Sequence, residues 1–196
     1  QMWQPVLMIN GYLISVLGLA MLIPAAVDML ETGRNWSLFV TSSIVSLFIG
    51  LSLFLGNRTK IEKITLQQGY LLTAVSWVSL TLLATLPFIL SDVTPGFADA
   101  LFEAMSGLST TGATVITDLE VLPDSILLWR SMLNGLGGVG IVIFAVALLP
   151  FLGIGGMQIF QRENSDLNDK FMPKFNYIAK RIMAVYFILV ALCAGC

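Results

Sequence analysis

Polar residues gather at a few places along this chain, between long apolar runs. Runs of membrane-spanning length, ~20 residues, occupy 5–27, 36–55, 67–90, 125–149 and 177–196. The pattern predicts five transmembrane helices. The break between the third and fourth runs differs from the others. It holds an apolar helical segment, 97–108, too short to cross a bilayer, which runs directly into Ser109-Thr-Thr-Gly-Ala-Thr114. A half-length helix followed by a small, hydroxyl-rich strand is one way to line an ion path with backbone carbonyls. Irregular backbone at membrane depth is tolerated only where it lines a cavity or is buried in protein.

The expected fold is therefore an all-α integral membrane protein. An N-terminal hairpin with its turn covers 1–66, and a span–re-entrant loop–span repeat covers 67–150. A connection follows at 151–176, and a last span at 177–196 opens a second such unit. Pro150, Gly153, Gly155 and Gly156 are expected to end the fourth span. Composition agrees: 57% of residues are hydrophobic and 11% charged, against roughly 25% charged in soluble domains. The first span lacks the basic flank and small-residue cleavage site of a signal peptide. Gln1 and the apolar run ending at Cys196 lead us to expect a fragment of a longer chain.

Charge sets the expected orientation. With the N-terminus inside, the cytoplasmic loops hold Arg58, Lys60, Lys63, Arg162, Lys170, Lys174, Lys180 and Arg181. The outer side holds only Arg34 and Arg130 as bases, the asymmetry of the positive-inside rule. It also carries Asp28, Glu31, Asp92, Asp99, Glu103, Asp118, Glu120 and Asp124, which would raise the local cation concentration at an entrance. The half-helix then enters from outside. Thr94 is expected to cap it and Pro95 to fill its first turn. Its last turn should leave unpaired carbonyls, the negative end of the dipole, facing the strand. That favours a cation.

Within the strand, Gly112 alone takes backbone angles forbidden to L-residues at little cost. Thr110, Thr111, Gly112, Ala113 and Thr114 could turn successive carbonyls to one side and replace an alkali cation's water. An ordinary outer loop with a tight turn at Gly112 is the alternative. Glu103 either bonds locally to steady the strand or faces outer water. Arg130 either snorkels to the interface, pairs with Glu103 or Asp124, or acts on ions near the pore. Asn134 is a candidate for a bond across helices.

Phe102-Glu-Ala-Met-Ser-Gly-Leu-Ser-Thr-Thr-Gly-Ala-Thr114 resembles the first pore loop of the Trk/Ktr/HKT superfamily of potassium transporters. Trp129-Arg-Ser-Met-Leu-Asn-Gly-Leu-Gly-Gly-Val-Gly-Ile-Val-Ile-Phe144, with Ala147-Leu-Leu-Pro150 and Gly155-Gly-Met157, is similar to the helix and cytoplasmic connection after that loop in the TrkH branch. The resemblance implies four span–loop–span repeats around one pore, each giving one filter strand with a key glycine, here Gly112. It implies K⁺ as the transported ion, with carbonyl ligands from Thr110, Thr111, Gly112 and Ala113. Ser109, Glu103, Arg130 and Asp118 would support the filter or line the outer vestibule. The implied setting is a bacterial inner membrane, with lipid around the chain. The implied partners are the remaining three repeats, a second full-length subunit in a homodimer, and a cytosolic nucleotide-binding regulatory subunit of TrkA type.

A homotetrameric cation channel and a non-conducting membrane scaffold are the alternative functions. Gly135-Leu-Gly-Gly-Val-Gly140 matches a dinucleotide fingerprint in form, but it lies inside an apolar span, where small residues serve close helix packing. Cys193 and Cys196 stand alone, with no histidine in the chain, so neither a zinc nor a redox site is indicated. No nucleophile–base–acid set is present to suggest an enzyme, and no nucleic-acid partner or cofactor is expected.

Overall fold

A backbone in lipid has to satisfy its own N–H and C=O groups, and helix is the form its apolar runs take. The computed structural model describes residues 3–31, 33–59, 65–117 and 119–148, with positions 181, 184, 185 and 188. In chain order it contains α1 (Trp3–Ala20), α2 (Leu22–Glu31), α3 (Trp36–Gly56), α4 (Leu66–Ala84), α5 (Leu86–Leu90) and α6 (Phe97–Leu108). A single 3-10 turn (Leu119–Val121) and α7 (Asp124–Leu148) complete the described elements, none of which is a strand. Among the described residues, three helical stretches are long and apolar enough to cross a membrane: Trp3–Glu31, Trp36–Gly56 and Gln67–Leu90. The fourth expected span is α7, whose 25 residues reach about 37 Å at 1.5 Å each. Of the fifth span only positions 181, 184, 185 and 188 are described, and the 151–176 connection, Asp118 and both cysteines lie outside the described residues.

The chain forms two compact units, Gln1–Gly138 and Val139–Cys196. Of the second, the described part is the end of α7 and four isolated helical positions.

Two of the expected spans are not single helices. The first breaks between α1 and α2 at Met21. Pro24 has no N–H to give the carbonyl of Ala20, so the ladder is interrupted there. The third breaks at Thr85, just before Pro87 in α5. Phe88 turns its N–H to Thr85 rather than to Ala84. The carbonyl of Ala84 is satisfied instead by the indole Nε1 of Trp129 in α7, at 3.2 Å.

Small residues bring the hairpin helices together. A methyl added at Gly11 of α1 would lie 2.6 Å from the backbone nitrogen of Phe54 and 2.7 Å from the carbonyl oxygen of Gly50 in α3. Ser43 Oγ of α3 donates to the carbonyl of Gly18 in α1 at 2.7 Å. In lipid, where no hydrophobic force joins helices, such close approach and interhelical bonding hold them. Other hydroxyls are satisfied by their own helix: Thr41 donates to Ser37 and Thr73 to Gly69, one turn back.

The core gathers around Trp129. Its neighbours in the buried cluster include Phe39 of α3, Phe88 of α5, Ala100 and Ala104 of α6, and Met21 between α1 and α2. Phe39 meets Trp129 edge to face, with ring centroids 6.4 Å apart, an arrangement aromatic quadrupoles favour.

Asp28 departs from the expected ring of outer acids. Only 2% exposed, it accepts from the backbone N–H of Asn35 at 2.7 Å and from Ser125 Oγ at 3.0 Å. It ties the hairpin's turn to the start of α7. A carboxylate committed in this way does not gather ions.

Candidate functional site

The half-helix is α6, with 12 residues, or about 18 Å against a ~30 Å hydrocarbon core. Ala100, Glu103, Ala104, Gly107 and Leu108 form its buried face, the spacing of one helical stripe. Its start differs from expectation. The N-cap is Gly96 rather than Thr94, and it makes no side-chain capping bond. Thr94 Oγ1 is buried without a hydrogen-bond partner among the described residues.

The end of α6 shapes the segment beyond it. Thr110 N–H bonds the carbonyl of Gly107 at 2.9 Å, and Thr111 N–H bonds that of Ser106 at 3.0 Å. These are the two bonds of a Schellman cap, whose left-handed position usually holds glycine. Here Thr110 holds it, with φ of 57°. A β-branched residue at positive φ is an outlier, and nothing in its residue type signals it. Gly112 also lies in the left-handed region, at φ 72°, as its sequence position suggested.

The last-turn carbonyls expected to stay unpaired are therefore largely taken. Ser106 O accepts from Thr111 and, at 3.3 Å, from Gly112, while Gly107 O accepts from Thr110. The carbonyl of Leu108 abuts α7, where a methyl at Gly137 would overlap it. Gly137 thus serves close packing, whereas a methyl at Gly140 would meet nothing among the described residues within 4 Å. Residues 111–116 are not a β-strand; they are irregular backbone whose first residues are bonded back onto α6.

Glu103 takes the first of its two expected roles. Its side chain is 1% exposed. One carboxylate oxygen accepts from Thr114 Oγ1 at 2.6 Å and from Val115 N–H at 2.7 Å. The other lies 3.1 Å from Arg130 Nε of α7. Arg130 is thereby a partner of Glu103, and Glu103 steadies the segment rather than facing water. Asn134 bonds the carbonyl of Arg130 in its own helix, not a neighbour. Ser109 Oγ pairs with Thr111 Oγ1 at 2.8 Å.

Sequence reasoning missed Ser106. Its Oγ donates to the carbonyl of Ala113 at 2.6 Å. The structure thus brings together Glu103, Ser106, Arg130 and residues 109–115, most of the expected set. Thr110, Thr111, Gly112, Ala113 and Thr114 are themselves exposed.

Residues 36–196 match the model of the TrkH family, described as cation transport proteins. The chain belongs to the TrkH family. Among its relatives is the Trk system potassium uptake protein TrkH of Halomonas elongata, 38% identical over 192 residues, or 96% of this chain and 40% of that protein. The TrkH protein of Escherichia coli strain K12 is 37% identical over 95% of this chain and 39% of its own length. The crystal structure of the potassium transporter TrkH from Vibrio parahaemolyticus superimposes with a TM-score of 0.83, at 34% identity, over 100% of this chain and 39% of that one. This TrkH-family chain therefore spans about two fifths of the length of the relatives it matches. Its relatives are named as uptake proteins, and with its long apolar helices it is a membrane protein.

Proposed function

We propose that this chain supplies one of four pore loops to a bacterial inner-membrane protein that takes up potassium. The observation that carries the proposal is the end of α6. A helix too short to span halts in a Schellman cap, and an irregular segment with two left-handed residues, Thr110 and Gly112, comes directly after it. An ordinary tight turn needs neither this hitching to the helix nor a buried ion pair behind it.

The peptide geometry supports a choice among the carbonyls. In a trans peptide, N–H and C=O point to opposite sides. The N–H groups of Thr111 and Gly112 both turn toward Ser106. The carbonyls of Thr110 and Thr111, which share those peptide planes, therefore turn away from α6. Ala113 is different: its carbonyl is held by Ser106 Oγ and offers an ion only its second lone pair. Thr114 spends its hydroxyl on Glu103. We therefore assign K⁺ coordination chiefly to Thr110 and Thr111, add Gly112 from the resemblance, and count Ala113 as secondary.

In this reading the N-terminus is cytoplasmic, and α6 enters from the outer side. Three further repeats complete the filter. A homodimer of full-length subunits and a cytosolic nucleotide-binding regulator are the expected assembly. The test is K⁺ uptake by the full-length protein carrying Gly112→Ser. The substitution meets no atom within 4 Å but puts a side chain at φ 72°. We expect K⁺/Na⁺ discrimination to fall; unaltered discrimination would refute the assignment.

A further inference from the structure

We propose that the hydroxyl of Ser106 is a positioning group that sets the direction of the filter carbonyls and so contributes to ion discrimination. This rests on the reading of residues 110–113 as an ion-lining segment.

Ser106 is 6% exposed, in the last turn of α6. Three consecutive residues of the segment are hitched to it. Its own carbonyl receives the N–H of Thr111 at 3.0 Å and of Gly112 at 3.3 Å. Its hydroxyl gives a proton to the carbonyl of Ala113 at 2.6 Å. The first two bonds turn peptide N–H groups toward the helix and carbonyls away from it. The third reverses the order, drawing one carbonyl in. The reversal falls between the N–H of Gly112 and the carbonyl of Ala113, a stretch that includes Gly112 at φ 72°. Ser106 therefore fixes where the run of outward carbonyls ends.

A serine in a helix usually returns its hydroxyl to its own helix, to a carbonyl one turn back. Thr73, Thr81, Thr85 and Ser131 do so. Ser106 instead reaches forward, seven residues along the chain. Ser109 Oγ leans on the carbonyl of Ser106 as well, at 3.4 Å. One residue thus carries the register of the segment relative to the helix, and only the hydroxyl part of that hold depends on residue type.

The experiment is Ser106→Ala in the full-length protein, beside wild type and Gly112→Ser, reading K⁺ and Na⁺ uptake and the thermal midpoint of the purified protein. The exchange removes one atom from a helix and leaves the Ser106 carbonyl and its two bonds intact. A hydrogen bond's net worth corresponds to a factor of about 2–10. The K⁺/Na⁺ preference is expected to drop by about that factor while the thermal midpoint holds. If uptake is lost altogether, the ratio of K⁺ to Na⁺ stabilisation in thermal melts is read in its place. An unchanged ratio in Ser106→Ala overturns the positioning role, as does a drop in midpoint with the ratio preserved. If Gly112→Ser shifts the ratio and Ser106→Ala does not, only this inference fails. If neither does, the filter reading fails with it.

Discussion

Exchanging the members of the Glu103–Arg130 pair one at a time is the sharpest test of how the segment is held. Glu103 is 1% exposed and Arg130 17%, so the two exchanges leave unequal debris. Arg130→Gln strands a buried carboxylate with only the Thr114 hydroxyl and the Val115 N–H to bond it. Breaking a buried pair from that side costs about 3–5 kcal/mol. Glu103→Gln keeps an oxygen for those two donors, and the charge left behind sits on the more open arginine. Solvent screening lowers its cost to about 1–3 kcal/mol. The double exchange removes both charges and should cost less than the sum by about 1–3 kcal/mol. The assay is thermal unfolding of the full-length protein in one detergent and at one salt concentration. A larger loss for Glu103→Gln than for Arg130→Gln, or additivity within about 0.5 kcal/mol, would overturn this picture of the pair.

Trp129→Phe keeps the ring beside Phe39 but leaves the carbonyl of Ala84 without its donor. The expected loss is about 1–3 kcal/mol, read as a fall in thermal midpoint with K⁺ uptake retained. Thr110→Gly relieves a left-handed β-branched residue, worth about 1–3 kcal/mol of strain, against about 1 kcal/mol of added chain entropy. The thermal midpoint should hold or rise; a marked fall would mean that the threonine side chain itself holds the cap. The exchanges at Gly112 and Ser106 complete the set, with discrimination rather than stability as their readout.

The elements legible in the sequence were those set by local pattern. Apolar run length located the first three spans and α7, and a short helix before a run of small residues marked the loop. Gly112 announced its left-handed angle, because a glycine in a short loop just past a helix most often serves a backbone turn. The remainder depends on tertiary partners. Pro24 and Pro87 sit inside apolar runs and read as span, yet each interrupts the ladder, and the second break holds only because Trp129 covers the freed carbonyl. Asp28 and Glu103 look alike among the outer acids. The structure buries both for different tasks, one tying the hairpin turn to α7 and one holding the segment. Thr110 took the left-handed position because the Schellman bonds, not its residue type, decide there. Ser106 was passed over because a helical serine gives no sign of where its hydroxyl will reach.

The function proposed for this chain stands on backbone carbonyls of the segment meeting the transported ion. Anomalous diffraction from crystals of the full-length protein, grown with thallium in place of potassium, tests that contact at the atoms concerned. The expected result is an anomalous peak on the side of the segment away from α6, within coordinating distance of the carbonyls of Thr110, Thr111 and Gly112. An ordered segment with no peak beside it, and thallium bound elsewhere in the pore, would contradict the assignment.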